Sequence, residues 1–271
     1  MSTLETTKPA DTTAAPMLLR SDQAGVVTLT LNRPAQRNAL SRALMATLQR
    51  ELDAIRSDPA VKVVVLAGAG PGFCGGHDLK EMRANPGRAN YRALFRQCSD
   101  LMLSLTRLPQ TVIARVHGIA TAAGCQLVAT CDLAVASENA TFATSGINIG
   151  LFCSTPMVAL TRAVPRKAAM EMLLTGEFVS AERARELGLV NRVVPADRLD
   201  AEVMALARTI CSKSPVALKI GKEAFYHQAE LGLAAAYDYA SEVMTTNMLA
   251  RDAEEGIDAF LEKRTPTWRG C

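Results

Sequence analysis

The chain has 271 residues, of which 49% are hydrophobic, 4% aromatic and 21% charged, a composition suited to a tightly packed α/β protein. That length is ample for a large core in one α/β domain, with or without a helical appendage. The 30 basic and 27 acidic residues give a net charge of +3 and form no basic block, so with so few aromatics nucleic-acid binding has little support.

Residues 1–16, MSTLETTKPADTTAAP, are rich in Thr, Ala and Pro and read as a disordered tail. They hold no apolar signal core and no Arg-rich amphipathic pattern. The seven cysteines are scattered without a CxxC pair, which argues against a disulfide framework or a zinc site and for reduced thiols. Together these features predict a cytoplasmic protein. No apolar run reaches the ~18 residues of a membrane span.

VVTLTL (Val26–Leu31) reads as a strand ended by the turn signal Asn32-Arg33-Pro34. Ser41 is placed to cap a helix whose apolar face is Leu44, Leu48, Leu52 and Ile55. VKVVVLAG (Val61–Gly68) is continuously apolar, as for a strand covered on both faces. A glycine-dense loop follows, then a helix over Tyr91–Leu108 and a strand over Thr111–Val116. A small-residue helix from Ala122 to Thr130 leads to a strand at Leu133–Ser137, and this alternation implies parallel strands with right-handed crossovers. Beyond about Thr155 the pattern is mostly helical, interrupted by Leu189–Val194, and Pro215 opens a further helix. The expected organisation is a tail over 1–16, a core over 17–210 and a helical region over 211–271. From the residues alone, that region could pack on its own core or on a neighbouring subunit.

Two glycine-rich loops each follow an apolar strand: Gly72-Phe73-Cys74-Gly75-Gly76-His77-Asp78-Leu79, and His117 through Gln126. Small residues there let a ligand approach the backbone closely. Two N–H groups, one from each loop, would be placed to grip a carbonyl oxygen as charge develops on it. The chain has neither a phosphate-binding G-x-x-x-x-G-K-[ST] nor a dinucleotide-binding G-x-G-x-x-G in its strand-to-helix context.

Asn32-Arg33-Pro34 with Asn38-Ala39-Leu40, Phe73–Leu79, Gly124-Cys125-Gln126-Leu127 with Cys131-Asp132-Leu133-Ala134, Leu173-Leu174-Thr175-Gly176 and Gly188-Leu189-Val190 together resemble the crotonase (enoyl-CoA hydratase/isomerase) superfamily. The likeness runs from about Val26 to Arg264, and Ala122–Gln126 with Gly150–Pro156 point to one branch within it. The resemblance implies an α/β fold, a spiral of ββα turns with a C-terminal helical region, assembled as homotrimers or as hexamers made of two trimers. It implies an acyl-coenzyme A thioester as ligand and substrate, no further cofactor and no metal. By position, the oxyanion donors would be the backbone N–H of His77 and of Ala123. The coenzyme would lie along Ala35, Arg37, Phe73, Gly75, Gly76, Asp78 and Leu79, with Gly124 and Phe152 beside it and Arg33 and Lys80 as candidates for its phosphates.

Family hydratases carry two glutamates twenty residues apart, and the corresponding positions here hold Gln126 and Gly146. An amide orients water but accepts no proton near neutral pH, and glycine does neither. General acid–base groups contribute about 10²–10⁴ each, so a hydratase without both is expected to be slow unless another group substitutes. The His77 imidazole is one substitute, against the alternative of a spacer whose ring faces solvent. His117 and Asp132 read as structural, and Cys153 and Ser154 show no base partner. Two readings stay open: an enzyme of the hydratase/isomerase type (or another crotonase chemistry such as decarboxylation or thioester hydrolysis), and a protein that binds acyl-CoA without turning it over.

Overall fold

The computed structural model describes residues 15–271. The expected tail over 1–16 thus falls, but for its last two residues, outside the described residues. Pro16 is tied down: its carbonyl accepts a hydrogen bond from Asn32 Nδ2 at 2.8 Å.

The chain opens with strands β1 (Leu18–Gln23) and β2 (Val26–Leu31) and helix α1 (Arg42–Arg56). One turn of a spiral follows: β3 (Val63–Gly68), β4 (Gly72–Cys74), α2 (Leu79–Ala84) and α3 (Arg88–Thr106). The next is β5 (Thr111–Val116), β6 (Ile119–Thr121) and α4 (Ala123–Thr130). The third is β7 (Leu133–Ser137), β8 (Thr141–Ala143), α5 (Ser154–Ala163) and α6 (Arg166–Thr175). β9 (Val179–Ser180), α7 (Ala181–Glu186), β10 (Arg192–Val194) and α8 (Leu199–Cys211) close the core. Helices α9 (Pro215–Gln228), α10 (Leu233–Met248) and α11 (Arg251–Leu261) end the chain.

Each turn gives one strand to a six-stranded sheet of order β1-β2-β3-β5-β7-β10 and a short one to a four-stranded sheet of order β4-β6-β8-β9. All pairings are parallel except β1 with β2 and β8 with β9. This is the ββα spiral with a C-terminal helical region that the resemblance implied.

Burial explains the strands. All six residues of β3 are buried: Val64 and Leu66 face the main core, while Val63 and Val65 meet Leu199, Val203 and Ala207 of α8. In α1 the Ser41 hydroxyl accepts the Leu44 N–H at 3.2 Å, and Leu44, Leu48, Leu52 and Ile55 are fully buried. Each such residue contributes ~1.5–3 kcal/mol of transfer free energy, more than the ~0.5–1 kcal/mol of side-chain entropy it loses.

α9 lies on its own core. Lys222 Nζ bonds Asp132 Oδ2 at 2.6 Å and the carbonyls of Leu105 and Gln110 at 2.9 Å each. Tyr226 OH donates to the other carboxylate oxygen of Asp132 at 2.8 Å, and the Val112 N–H donates to Oδ2. Asp132 therefore joins two strands and a helix, a structural role like the one its position predicted, with partners the sequence did not reveal.

Candidate active site

Asn38 ties the first turn to the first glycine loop. It is fully buried, and its Nδ2 donates to the carbonyls of Ala69, Gly72 and Phe73 at 2.8, 2.9 and 3.1 Å. Its Oδ1 accepts the Arg33 N–H, and it sits at φ 55°, a left-handed conformation that Asn tolerates better than most residues. The adjacent turn Pro34–Gln36 leaves Ala35 and Arg37 exposed, and the Arg37 carbonyl accepts the Gly75 N–H at 2.8 Å.

Beyond β4 the chain stays extended. Leu40 and His77 form a parallel bridge, with Leu40 N–H donating to Gly76 O at 2.7 Å and Asp78 N–H to Leu40 O at 3.4 Å. Because N–H directions alternate along an extended chain, these two bonds turn the His77 N–H to the opposite side. That side is the start of α4. A Cβ built on Gly76 would lie 3.0 Å from Ala122 Cβ and 3.4 Å from Ala123 N, and one on Gly124 would lie 2.1 Å from Cys74 O. Only glycine at these two positions lets the segments close. Gly76 has φ 95° and Ala122 has φ 51° with ψ −119°, the latter a strained conformation for a residue with a Cβ. Neither the His77 N–H nor the Ala123 N–H has an acceptor among the described residues. Two free donors on neighbouring backbones, one at a helix N-terminus, are what an anionic oxygen requires.

Gln126 lies one turn along α4 from Ala123 and is 4% exposed. Its Oε1 makes only a 3.9 Å contact with Cys98 Sγ, and the side chain lines a half-open cleft of about 1030 Å³ between α3, α4, α5 and α9. Gly146 sits in the turn Ser145–Ile149. A Cβ there would fall 2.5 Å from Leu151 O and 2.8 Å from Cys153 Sγ. The space of a side chain at 146 is thus filled by the following loop, and Cys153 is the residue that replaces it. Burial raises the Cys153 thiol pKa, and no side-chain base bonds to it among the described residues.

The His77 ring is enclosed, contrary to the solvent-facing alternative. It stands edge-on to Phe95 of α3 with centroids 5.7 Å apart, and neither ring nitrogen has a well-formed hydrogen bond. Burial lowers its pKa, partly opposed by the nearby Leu40 carbonyl, so the ring is neutral near pH 7. Enclosed in this way, it presents no base to a ligand. His117 is structural as expected, with Nε2 2.8 Å from Gly70 O.

The other candidates divide. Phe73 is fully buried and supports the loop from beneath, which corrects its assignment as a ligand contact; its neighbours Gly75 and Gly76 line the loop itself. The Arg33 guanidinium is engaged by Asp78 at 2.9 Å and by Ala39 O at 2.6 Å, so it braces the loop rather than standing free for a phosphate. Burial raises the Asp78 pKa, but the Arg33 bond and charge together with the Glu81 and Lys80 N–H groups more than offset it, holding the carboxyl below its usual range. Asp78 in turn caps α2. Arg37 and Lys80 are exposed with no ion pair among the described residues, and Leu79 and Phe152 are exposed apolar groups at 49% and 39%.

A spiral of ββα turns, with two acceptor-free amides on neighbouring segments among the described residues, defines a crotonase-type protein. The Enoyl-CoA hydratase/isomerase family model matches residues 21–271, and the chain belongs to that family. It is 45% identical to the enoyl-CoA hydratase domain-containing protein 3 of Mus musculus over 261 residues, covering 96% of this chain and 87% of the mouse protein. This is the branch to which Ala122–Gln126 and Gly150–Pro156 pointed. A crystal structure of an enoyl-CoA hydratase from Mycobacterium smegmatis superposes with TM-score 0.92 at 58% identity, covering 93% of this chain and 99% of that one. The crystal structure of the human domain-containing protein 3 gives TM-score 0.91 at 46% identity, over 93% of this chain and 100% of that one. The relatives from mouse, rat, zebrafish and human are all named mitochondrial, which overturns the expectation of a cytoplasmic protein. Reduced cysteines, on which that expectation partly rested, do not distinguish two reducing compartments.

Proposed function

We propose that this protein binds an acyl-CoA thioester and polarises its carbonyl between the His77 and Ala123 amides, as an enzyme of the enoyl-CoA hydratase/isomerase type. The pair of acceptor-free N–H groups on adjoining segments carries this reading. With the carbonyl held there, negative charge at Cα is drawn onto oxygen, and removing one such donor typically costs about 10²–10³ in rate. Exposed Arg37 and Lys80 flank the loop and suit the coenzyme phosphates; Ala35 and Leu79 suit the adenine and pantetheine. The thioester itself is the reacting group and no further cofactor is required.

The missing proton movers favour a second reading, an acyl-CoA binder with little turnover. Crotonyl-CoA and longer 2-enoyl-CoAs separate the two. Hydration above the buffer rate, abolished by Gly76→Ala, supports the enzyme. Tight binding of a saturated acyl-CoA without turnover of any enoyl-CoA supports the binder. Absence of both defeats the thioester reading.

Assembly as a trimer or hexamer belongs to the same proposal. It is supported by the apolar faces of α10 and α11, where Leu233, Leu249 and Phe260 are 77%, 83% and 82% exposed. Sedimentation of the intact protein at a monomer mass would count against it.

A further inference from the structure

The cleft that Gln126 lines begins one turn of α4 beyond Ala123, which bears on what the acyl group is; the inference rests on the thioester reading above. Its α4 wall is Gln126, Ala129 and Thr130, the face that follows directly from Ala123. From the Cys98 contact with Gln126, α3 carries the cavity to Arg107. Nine residues at about 1.5 Å rise give a length near 13 Å, about that of an extended chain of ten to twelve carbons. The middle is apolar, with Met102, Leu103, Val158 and Ala159.

The far end is not apolar. Arg56 closes α1, Arg107 follows α3, and Lys219 lies on α9. Arg56 donates to the Arg107 carbonyl at 3.0 Å, and none of the three cations has an ion-pair partner among the described residues. One carboxylate, Glu223, shares this end, so three cations face one anion. At the opposite mouth Arg162 is paired with Glu230 at 3.1 Å and leaves no such excess. All three cations are exposed at the rim of the cleft, where a methyl-ended chain makes no use of them. A carboxylate suits them, because guanidinium binds it in a planar, two-pronged contact.

We infer that the preferred ligand is a medium-to-long acyl-CoA with a carboxylate at the far end of its chain, read by Arg56 and Arg107. The chain runs from the paired amides past Gln126, along α3, to that end. α9, held down by Lys222 and Tyr226 on Asp132, forms its outer wall.

The test is titration calorimetry of the intact protein with three saturated thioesters that cannot be hydrated: hexanoyl-CoA, dodecanoyl-CoA and the mono-CoA thioester of dodecanedioic acid. Each buried methylene strengthens binding about fourfold, so both twelve-carbon ligands bind far more tightly than hexanoyl-CoA. The dicarboxylic thioester binds at least tenfold more tightly than dodecanoyl-CoA in low salt. In the double variant Arg56→Gln, Arg107→Gln, with melting temperature checked, that tenfold difference vanishes while dodecanoyl-CoA affinity stays within about twofold. Equal binding of the two twelve-carbon ligands, or a preference that survives in the double variant, overturns the inference. Hexanoyl-CoA binding with no gain on lengthening overturns it too and leaves the thioester reading standing. Failure of all three ligands to bind defeats the thioester reading itself.

Discussion

At position 146 the loss of a side chain has been made structural. The neighbouring loop has closed over the glycine, with Leu151 O and Cys153 Sγ 2.5 and 2.8 Å from where a Cβ would stand. Gln126 differs, because it faces a cavity and an isosteric carboxylate fits in its place. The two positions therefore respond differently to restoration. Gln126→Glu alone raises the hydration rate of crotonyl-CoA by about 10² over the unmodified protein, the contribution of one acid–base group. Adding Gly146→Glu brings no further gain, since overpacking against a backbone carbonyl costs about 1–3 kcal/mol. The melting temperature then falls by ~2–4 °C per kcal/mol. Steady-state assays and thermal scans of both variants read this out. A double variant that melts like the parent and gains a further hundredfold would show that the loop yields easily.

At the scale of elements, what the sequence made legible follows from length. β2, β3, β5 and β7 and the capped helix α1 have five residues or more and a burial pattern that repeats, so their apolar residues announce them. The strands of the small sheet, β4, β6 and β8, have three residues each and carry no period, so they pass as loops. β1 is an edge strand with Leu18 as its one buried residue, and its polarity hides it. The candidate site was legible where glycines let two backbones approach, at Gly76 beside Ala122 and Ala123. It was illegible where it depends on residues far apart in sequence, such as Cys153 filling the space at 146, or Lys222 and Tyr226 finding Asp132. That last cluster makes a prediction about α9. Burial lowers the Lys222 pKa while the Asp132 charge beside it raises it, and the ion pair keeps both groups satisfied. Lys222→Met strands the carboxylate and two carbonyls, and breaking such a pair costs about 3–5 kcal/mol. Tyr226→Phe removes one hydrogen bond and costs about 1 kcal/mol. Hydrogen exchange in the Lys222 variant speeds up across Pro215–Gln228 while β3 and β5 stay protected; uniform acceleration would mean that α9 and the spiral open together.

Across the whole molecule two kinds of attachment divide the chain. The spiral is held by apolar burial, which pH does not touch. The C-terminal end is held largely by carboxylates. Asp252, 3% exposed, accepts from Ser214 Oγ at 2.6 Å and from the N–H groups of Arg269 and Gly270 at 2.7 and 3.1 Å. Burial raises its pKa, but these donors more than offset it and hold it below the usual carboxylate value. Glu255 is held at about 2, first by Arg264 and then by the Thr267 N–H. A carboxylate whose folded pKa is depressed stabilises the structure above its unfolded pKa, which is about 4. That contribution is lost as pH falls from there through the folded value. Between pH ~4 and ~2 the segment from Arg264 onward is therefore released from α11 and from the start of α9. The molecule has a reporter in the right place, because its one tryptophan, Trp268, bonds Ser212 O through Nε1 at 2.8 Å. Acid titration shifts the Trp268 emission to the red in this window while the far-ultraviolet circular dichroism of the spiral persists to lower pH. Asp252→Asn keeps the side-chain shape, loses the charge, and moves the fluorescence midpoint toward neutral pH. Coincident fluorescence and dichroism transitions, unmoved by that substitution, would show instead that the chain end and the spiral unfold as one unit.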